Sequence, residues 1–349
     1  MAVPPRERAP EPVLESAPAP EPEPVRPAAP ESSSQENCPA CGTVEMRTVL
    51  HGSDRLYHTT DKDFLVVQCA KCGLMRLYPW PSPAEIGRYY PDDYWFTPEQ
   101  DPSGKWAERY RRFVLSDHVR FVWRAFQDSR ENGPVLDVGC GGGLLLRMMA
   151  ERGARVIGLD FALAAAVRAN EVNGVPAVCG SLGSRPLREG SCAVVTMFHV
   201  LEHLYDPAGY LDEAHRILKP NGRLVIQVPN ASCWQFLLFG EHWNGVDIPR
   251  HLLHFRESDI RALLEDCGFE IVRAKHFSWR DNPAGLATTL APSLDPMARR
   301  ICGVHETPRM KVWKDLVYFG LVLASLPFTM AEALCRQGST IMLEARKRP

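Results

Sequence analysis

The sequence predicts an α/β fold, in which helices cover both faces of a parallel sheet, with a small cysteine-containing segment before it. Short apolar runs alternate with segments of helical periodicity from Pro134 onward, and this alternation is typical of parallel sheets joined by crossover helices. A glycine-rich turn over residues 139–143 directly follows the first apolar run. Two Cys-x-x-Cys pairs, beginning at Cys38 and Cys69, precede the alternating region.

The first 36 of the 349 residues alternate Pro, Glu and Ala and hold almost nothing that a core could bury. This composition predicts a disordered tail over residues 1–36. No continuous apolar stretch follows its basic residues, and its many glutamates are unlike a transit peptide, so we expect neither a secretory nor an organellar signal. We therefore expect a cytoplasmic protein whose eleven cysteines are reduced.

Residues 37–80 are predicted to form a zinc ribbon. Cys38 and Cys41 make one pair and Cys69 and Cys72 the other, each with two intervening residues. This spacing lets both thiolates of a pair reach one ion, and Zn²⁺ prefers four such ligands in a tetrahedron. A closed shell of four cysteines leaves no position for water, so the zinc would be structural and would replace a core. Two unrelated pairs, or a redox-active Cys-x-x-Cys, remain alternatives.

Residues 81–133 are predicted to be an aromatic connector followed by a helix. The segment 88–96 is rich in Tyr, Trp and Phe. Such rings either pack against a neighbouring domain or cover an active site, and packing is the favoured interpretation. Apolar residues recur at helical spacing between positions 106 and 127, which predicts an amphipathic helix there.

Strands and helices alternate through residues 134–349. The strands are short runs rich in Val, Ile and Leu, and Asn173-Gly174 is a stop signal for the second helix. We expect the ligand at the carboxyl ends of the strands, as in other open parallel sheets. The predicted strands are 135–138, 155–160, 177–179, 193–198 and 223–228, and the predicted helices are 144–152, 161–173 and 207–218.

The turn after the first strand reads Gly139-Cys-Gly-Gly-Gly143. A dinucleotide fingerprint would need glycine at position 144, which is Leu, and a phosphate loop would need a following Lys-Ser or Lys-Thr, which this turn lacks. Asp137 precedes the turn and Asp160 ends the next strand. A carboxylate at that strand end can accept hydrogen bonds from both hydroxyls of a ribose. The pattern therefore favours an uncharged nucleoside that lies close to the backbone of the glycine turn.

Six stretches follow one another along the chain, namely Leu136–Gly143, Val156–Asp160, Cys179–Leu182, Phe198–Leu204, Arg216–Gly222 and Val228–Asn230. In this order they resemble the motifs of the class I S-adenosylmethionine-dependent methyltransferases. The resemblance implies a Rossmann-like, seven-stranded sheet whose last strand, here 339–347, is antiparallel. The cysteine pairs and residues 239–255 resemble a bacterial subgroup with an N-terminal zinc ribbon, often linked to polysaccharide or secondary-metabolite pathways.

The resemblance also implies which residues bind S-adenosylmethionine. The turn glycines would line the methionine end, Asp160 would hold the ribose, and Ser181 and Leu182 would flank the adenine. The implied set is Asp137, Gly139, Gly141, Gly143, Asp160, Phe161, Ser181, Leu182 and His199.

Two groups of residues could remove a proton from the methyl acceptor, and histidine is the usual base near neutral pH. His199 and His203 follow the fourth strand, where the substrate should lie. An insertion at about 231–256 is expected to cover the substrate, and it contains the second group. A structural pairing of Asp247 with Arg250 or a histidine is the alternative for that group. The candidate bases are His203, His254, His251 and His199.

A hydrophobic helical segment is predicted at about 311–335. Its uncharged part, residues 316–331, is 16 residues long and contains Pro327, whereas a span of the bilayer needs about 20 residues. We therefore expect no transmembrane helix. The segment is expected to be a buried helix lining the acceptor pocket or a helix resting on a membrane, and burial is favoured.

The sequence predicts an enzyme that methylates an oxygen, carbon or nitrogen nucleophile of a small-molecule acceptor, sugar-like or a secondary metabolite, with S-adenosylmethionine as donor. An RNA methyltransferase that grips nucleic acid with the ribbon is the alternative. A net charge of −2 provides no basic field for nucleic acid, which disfavours it. A non-catalytic cofactor-binding regulator is a third, weaker interpretation. The oligomeric state does not follow from the sequence.

Overall fold

The computed structural model describes residues 37–91 and 104–348. The predicted tail, residues 1–36, and the connector residues 92–103 lie outside the described residues. Two sheets organise the described chain, one of seven strands and one of four.

The strands are numbered in chain order. They are β1 (Met46–Gly52), β2 (Phe64–Cys69), β3 (Met75–Tyr78), β4 (Val135–Val138), β5 (Val156–Asp160), β6 (Ala177–Cys179), β7 (Cys192–Phe198), β8 (Leu218–Pro229), β9 (Leu253–His254), β10 (Phe269–Lys275) and β11 (Thr340–Lys347). The helices are α1 (Pro83–Ile86), α2 (Gly104–Ser129), α3 (Leu144–Ala150), α4 (Leu163–Asn173), α5 (Pro207–Ile217), α6 (Trp234–Phe239), α7 (Glu257–Asp266), α8 (Asn282–Leu290), α9 (Pro296–Ile301) and α10 (Pro308–Leu334).

The larger sheet has the strand order β10, β11, β8, β7, β4, β5, β6. Neighbouring strands are parallel except where β11 pairs with β8 and β10. This arrangement confirms the predicted α/β fold with a Rossmann-like, seven-stranded sheet and an antiparallel last strand. All four residues of β4 are buried, as expected for a central strand covered on both faces.

Apolar clusters lie on both faces of this sheet. On one face Val135 joins Val122 of α2 and Leu146 of α3, and on the other Leu136 joins Leu211 of α5. The alternation along β4 follows from the two-residue period of a strand. The sheet edge that holds the carboxyl ends of β4, β5 and β7 therefore has a rigid support on both sides.

Most element bounds lie within one or two residues of the prediction, but β8 begins five residues earlier than the predicted strand at 223. Leu218 already pairs with Cys192 of β7, before a register shift in the ladder. The polar residues Lys219 to Gly222 lie within this register shift, and they gave no strand signal in the sequence because they lack apolar periodicity.

The smaller sheet has the antiparallel order β1, β2, β3, β9. Its first three strands come from the predicted ribbon, and β9 comes from the predicted substrate-covering insertion. Leu253 and His254 pair with Arg76 and Met75. The cysteine-containing segment is therefore joined to the larger domain by strand pairing, which the sequence did not predict.

The predicted hydrophobic segment forms α10, but the expectation that it is buried is wrong. Only 22% of its most apolar 18-residue window is buried. Among the described residues, α10 is the one helix that is long and apolar enough to cross a membrane by length and composition. The helix exceeds the uncharged run because it continues into charged residues at both ends, from Pro308 to Leu334.

Candidate active site

The predicted cofactor turn lies between β4 and α3, at the carboxyl edge of the larger sheet. Gly139 and Gly143 have φ values of 74° and 75°, which residues with a side chain rarely adopt. A Cβ on Gly139 would lie 2.8 Å from Val200 Cγ2, and one on Gly143 would lie 2.9 Å from Ala169 Cβ. A Cβ on Gly141 would meet nothing within 4 Å, so this part of the turn faces open space.

Two buried carboxylates lie beside the turn. Asp160 accepts the N–H of Gly141 through Oδ2 at 2.8 Å and the N–H of Ala162 through Oδ1 at 2.9 Å. Asp137 Oδ1 accepts the hydroxyl of Thr196 at 2.5 Å. Burial raises the pKa of both acids, and with the nearby Asp160 it raises that of Asp137 to about 7. Such a pair favours a cationic ligand, which would stabilise both ionised forms.

The residues expected around the adenine differ in what they expose. The ring of Phe161 is 63% exposed and lies 6.4 Å from the ring of Tyr90. Ser181 Oγ lies 2.5 Å from the hydroxyl oxygen of Tyr210. The side chain of Leu182 is fully buried, so only its backbone can contact a ligand.

His199 follows β7 and lies between two carboxylates. Its Nδ1 is 3.1 Å from Glu202 Oε1, and its Nε2 is 3.6 Å from Asp281 Oδ1. The Gln227 amide nitrogen lies 3.0 Å from Nε2 and would donate a hydrogen bond to a neutral ring. Two carboxylates stabilise the protonated ring more than this one amide stabilises the neutral ring. Burial opposes the charge, yet the hydrogen bonds and attraction of Asp281 and Glu202 raise the pKa of His199 to about 9. His199 is therefore a cation at neutral pH.

His203 lies beside His199 and Glu202, and its ring is neutral. Burial, together with the nearby His251, lowers the pKa of His203 to about 4. Its Nδ1 lies 3.0 Å from the carbonyl oxygen of Arg250 and 3.0 Å from the hydroxyl oxygen of Tyr90. Because a carbonyl only accepts, Nδ1 carries the proton, and the Tyr90 oxygen can be a second acceptor. Among the described residues nothing hydrogen-bonds to Nε2 of His203. This nitrogen can therefore accept a proton, with the Tyr90 ring 6.2 Å away.

The other two candidate histidines are buried. His251 Nδ1 lies 2.9 Å from the carbonyl oxygen of Gly245, and its ring is 4.7 Å from that of His203. His254 lies in β9, and burial lowers its pKa to about 3. His203 is partly exposed whereas His254 is buried, so His203 is favoured over His254 as a base. Glu202, His203 and His251 also place one donor atom each within 4.8 Å of one another, so these three could hold a cation.

The Asp247–Arg250 pairing, expected as the structural alternative, is present. Arg250 is fully buried and lies 2.7 Å from Asp247 Oδ1 and 2.9 Å from Asp54 Oδ1. Its guanidinium carbon lies 4.4 Å from the centre of the Tyr57 ring. Asp54 and Tyr57 belong to the cysteine-containing segment, so Arg250 joins that segment to the insertion.

The four paired cysteines converge at the end of the smaller sheet. Cys38 Sγ lies 3.5 Å from Cys72 Sγ, and Cys41 Sγ lies 3.5 Å from Cys69 Sγ. All four sulfurs lie within 4.8 Å of one another. A tetrahedral Zn²⁺ with bonds of about 2.3 Å requires sulfur–sulfur distances of about 3.8 Å, so the donor set fits that ion.

Comparison with known proteins identifies the larger domain. A profile described as a methyltransferase domain matches residues 106–274. A ubiquinone biosynthesis O-methyltransferase of Pseudomonas paraeruginosa is 34% identical over 182 residues, which cover 48% of this chain and 78% of that protein. The chain belongs to the class I S-adenosylmethionine-dependent methyltransferases.

Two further proteins are similar to this methyltransferase. One, of Mycolicibacterium smegmatis and named "Probable S-adenosylmethionine-dependent methyltransferase", is 37% identical over 142 residues, or 39% of this chain. The match spans about half of that relative, 52% of its length. The other is the crystal structure of a methyltransferase from Archaeoglobus fulgidus, with a TM-score of 0.44 and 19% identity, covering 71% of this chain and all of that one.

The methyltransferase site includes residues that the sequence did not predict. Asp281 lies between His199 and His118, whose Nε2 is 3.5 Å from Asp281 Oδ2. Asp281 follows β10, in a segment without a motif, and His118 lies in a helix that showed only amphipathic spacing. Tyr90 belongs to the aromatic run, for which packing against a neighbouring domain was favoured over covering an active site. The aromatic run was the only signal for any of the three.

Proposed function

We propose that the chain transfers the methyl group of S-adenosylmethionine to a hydroxyl oxygen of a small-molecule acceptor. The observation that carries this proposal is the position of His199 and His203, a cation and a neutral base, beside the glycine turn at one sheet edge. An acceptor hydroxyl needs a base for its proton and a positive group near its oxygen. The Pseudomonas relative, named as an O-methyltransferase, supports oxygen as the acceptor atom.

The residues of the turn fit S-adenosylmethionine. Asp160 has lone pairs left for two ribose hydroxyls after accepting two backbone N–H groups. The open space at Gly141 admits a ligand against the backbone. When bound, the cofactor supplies a methyl group already activated by a sulfonium. Asp137 and Asp160 would favour that positive charge, and the exposed ring of Phe161 would pack against the nucleoside.

Two histidines would bind the acceptor hydroxyl and remove its proton. His199, held protonated by Glu202 and Asp281, would hold the acceptor oxygen and lower the pKa of its hydroxyl. His203, with its proton on Nδ1, would take the hydroxyl proton at Nε2. Tyr90 lies between Phe161 and His203 and would separate the reacting groups from water.

The proposal is tested with methyl-labelled cofactor and a panel of phenols, catechols, sugars, amines and an RNA transcript. We expect label in a hydroxyl-bearing small molecule and no label in RNA. Label found only in an amine, only on carbon or only in RNA would refute oxygen methylation of a small molecule. A chain that binds cofactor and labels none of them would favour the regulator interpretation instead.

Asp160→Asn is expected to weaken S-adenosylmethionine binding by about 10- to 100-fold, because hydrogen bonds to a charged group contribute about 1.5–3 kcal/mol. Isothermal titration calorimetry with the full chain measures the change in Kd. Asp61→Asn, which alters an exposed carboxylate of the cysteine-containing segment, is the control and should leave the Kd unchanged. Equal affinities for Asp160→Asn and the unmodified chain would exclude Asp160 as the ribose ligand.

We also propose that the four cysteines hold one structural Zn²⁺. We expect one zinc per chain by metal analysis, and about 0 for Cys38→Ser with Cys69→Ser, since two ligands cannot close the shell. Chelation of the metal should lower the melting temperature, because binding free energy contributes to folding. Cys335→Ser, at an exposed cysteine that is not part of this cluster, is the control. Absence of zinc from the purified chain, with no stabilisation when zinc is added, would contradict the site.

A further inference from the structure

In α10 the buried side is polar and the outward side is apolar, which is the reverse of an ordinary surface helix. Its buried positions hold polar side chains, among them Ser325, Thr329 and Glu332. Its outward positions are apolar, with Leu316 65% exposed. The outward apolar residues are Val312, Trp313, Leu316, Phe319, Leu323 and Met330. We call this set the α10 apolar face.

The polar side of α10 is fixed to the domain. Glu332 is fully buried and accepts the Gln235 side-chain amide at 2.8 Å. Ser325 and Thr329 donate their hydroxyls to carbonyl oxygens one turn earlier, at 2.8 and 3.0 Å. These groups need no water, so they tolerate burial. Rotation of α10 to hide its leucines would separate Glu332 from Gln235 and leave both buried side chains without this hydrogen bond.

Neighbouring elements extend the exposed apolar surface. Trp234 of α6 lies 6.1 Å from Phe328 between ring centres, and the same short helix exposes Leu237 and Leu238. Near the middle of α10, Tyr110 of α2 lies 6.3 Å from Phe319. A contiguous apolar surface larger than scattered single residues marks an interaction site.

Cationic residues border the α10 apolar face at both ends. Residues 299–315 contain five Arg or Lys side chains and two acids. Both acids are held in ion pairs within that segment. Arg336 follows the other end and is exposed. An apolar stripe with a surplus of cations complements an anionic lipid surface.

We propose that the α10 apolar face rests on an anionic membrane, with the helix lying in the plane of the lipid–water interface. Because the polar side of α10 packs on the domain, the helix cannot stand across the bilayer without leaving Glu332 unpaired. A two-fold dimer along α10 would place the cationic start of one helix against the Arg336 end of the other, and like charges oppose that contact. The proposal is independent of the acceptor and of the transfer reaction.

Flotation of the full chain with vesicles tests the proposal. We expect the chain to float with phosphatidylcholine vesicles that contain phosphatidylglycerol, and less with phosphatidylcholine alone. High salt should weaken the binding, because it screens the cationic contribution. Leu316→Glu with Leu323→Glu should lower the bound fraction at least about tenfold, since charges at the interface remove the apolar contact. Arg309→Glu with Lys311→Glu should lower binding to the vesicles that contain phosphatidylglycerol, but not binding to vesicles of phosphatidylcholine alone.

Val272→Glu is the matched control, because Val272 is also about half exposed but lies on β10. It should float like the unmodified chain, and circular dichroism melts should show that all variants fold. Equal flotation of the Leu316/Leu323 double variant and the unmodified chain would overturn the proposal. No binding by the unmodified chain would also overturn it. If light scattering then shows a dimer that the Leu316/Leu323 variant dissociates, the face belongs to a second copy.

Discussion

Arg250→Met is expected to lower the free energy of unfolding by about 3–5 kcal/mol, the cost of breaking a buried ion pair by removing one partner. The reason is that Asp54 and Asp247 would both lose their counter-charge, and the Arg250–Asp54 pair is fully buried. Arg250 holds the pKa of both carboxyls below the ordinary range, against burial, which raises it. Urea unfolding followed by tryptophan fluorescence measures the loss.

Arg47→Met is the control for Arg250→Met, because Arg47 makes only exposed hydrogen bonds to Gln68. Its effect should stay within about 0.5 kcal/mol. Arg250→Met with Asp54→Asn and Asp247→Asn should recover part of the lost stability, since no unpaired charge then remains buried. A loss below about 1 kcal/mol for Arg250→Met would show that Arg250 does not join the two segments.

His199→Gln is expected to lower kcat by about 10²- to 10³-fold, the usual cost of removing a positioned donor that stabilises a developing oxyanion. Turnover of the unmodified chain should fall as pH rises through about 9, where His199 loses its proton. Asp281→Asn removes one of the two carboxylates that raise this pKa, so the alkaline fall should move to lower pH. Methyl transfer measured from pH 6 to pH 10 gives both profiles.

The positive charge of His199 also affects the free energy of unfolding. Because the pKa of His199 is raised from 6.5 to about 9 on folding, its contribution to stability is fully present below pH 6.5 and is lost as pH rises through about 9.

Asp212→Asn, at an exposed carboxylate of α5, is the control for Asp281→Asn and should leave the pH profile of turnover unchanged. An unaltered alkaline limit in Asp281→Asn would show that His199 does not act as a cation.

Local patterns predicted the core of the fold. The bounds of β4, the glycine turn and the acid that ends β5 depend on neighbours within a few residues. Strict steric demands act there: Gly139 and Gly143 adopt φ values that other residues avoid. Parallel strands bring their carboxyl ends to one edge, so the strand sequence also predicted where Asp160 and His199 lie. The two-residue spacing within each cysteine pair likewise predicted that the pairs share one site, and sulfurs of one pair lie 3.5 Å from sulfurs of the other.

The candidate site was predicted only in part, because its electrostatics come from distant segments. The pattern around His199 suggested a base, yet Asp281, 82 positions later in the chain, makes it a cation. His203 showed the same motif signal, but burial keeps it neutral. The type of residue was readable from the sequence, whereas its charge state depends on how many carboxylates and how much water surround it.

The sequence by itself determined the α/β sheet, the turn that receives a nucleoside and the grouping of four cysteines, since steric and periodic rules act over short distances. Only the tertiary structure decided which side of α10 faces outward and that Arg250 joins Asp54 across 196 positions. A charged residue pairs with whichever partner the fold brings near it, and an apolar run does not reveal which neighbour covers it. Both depend on long-range packing, which leaves no period in the chain.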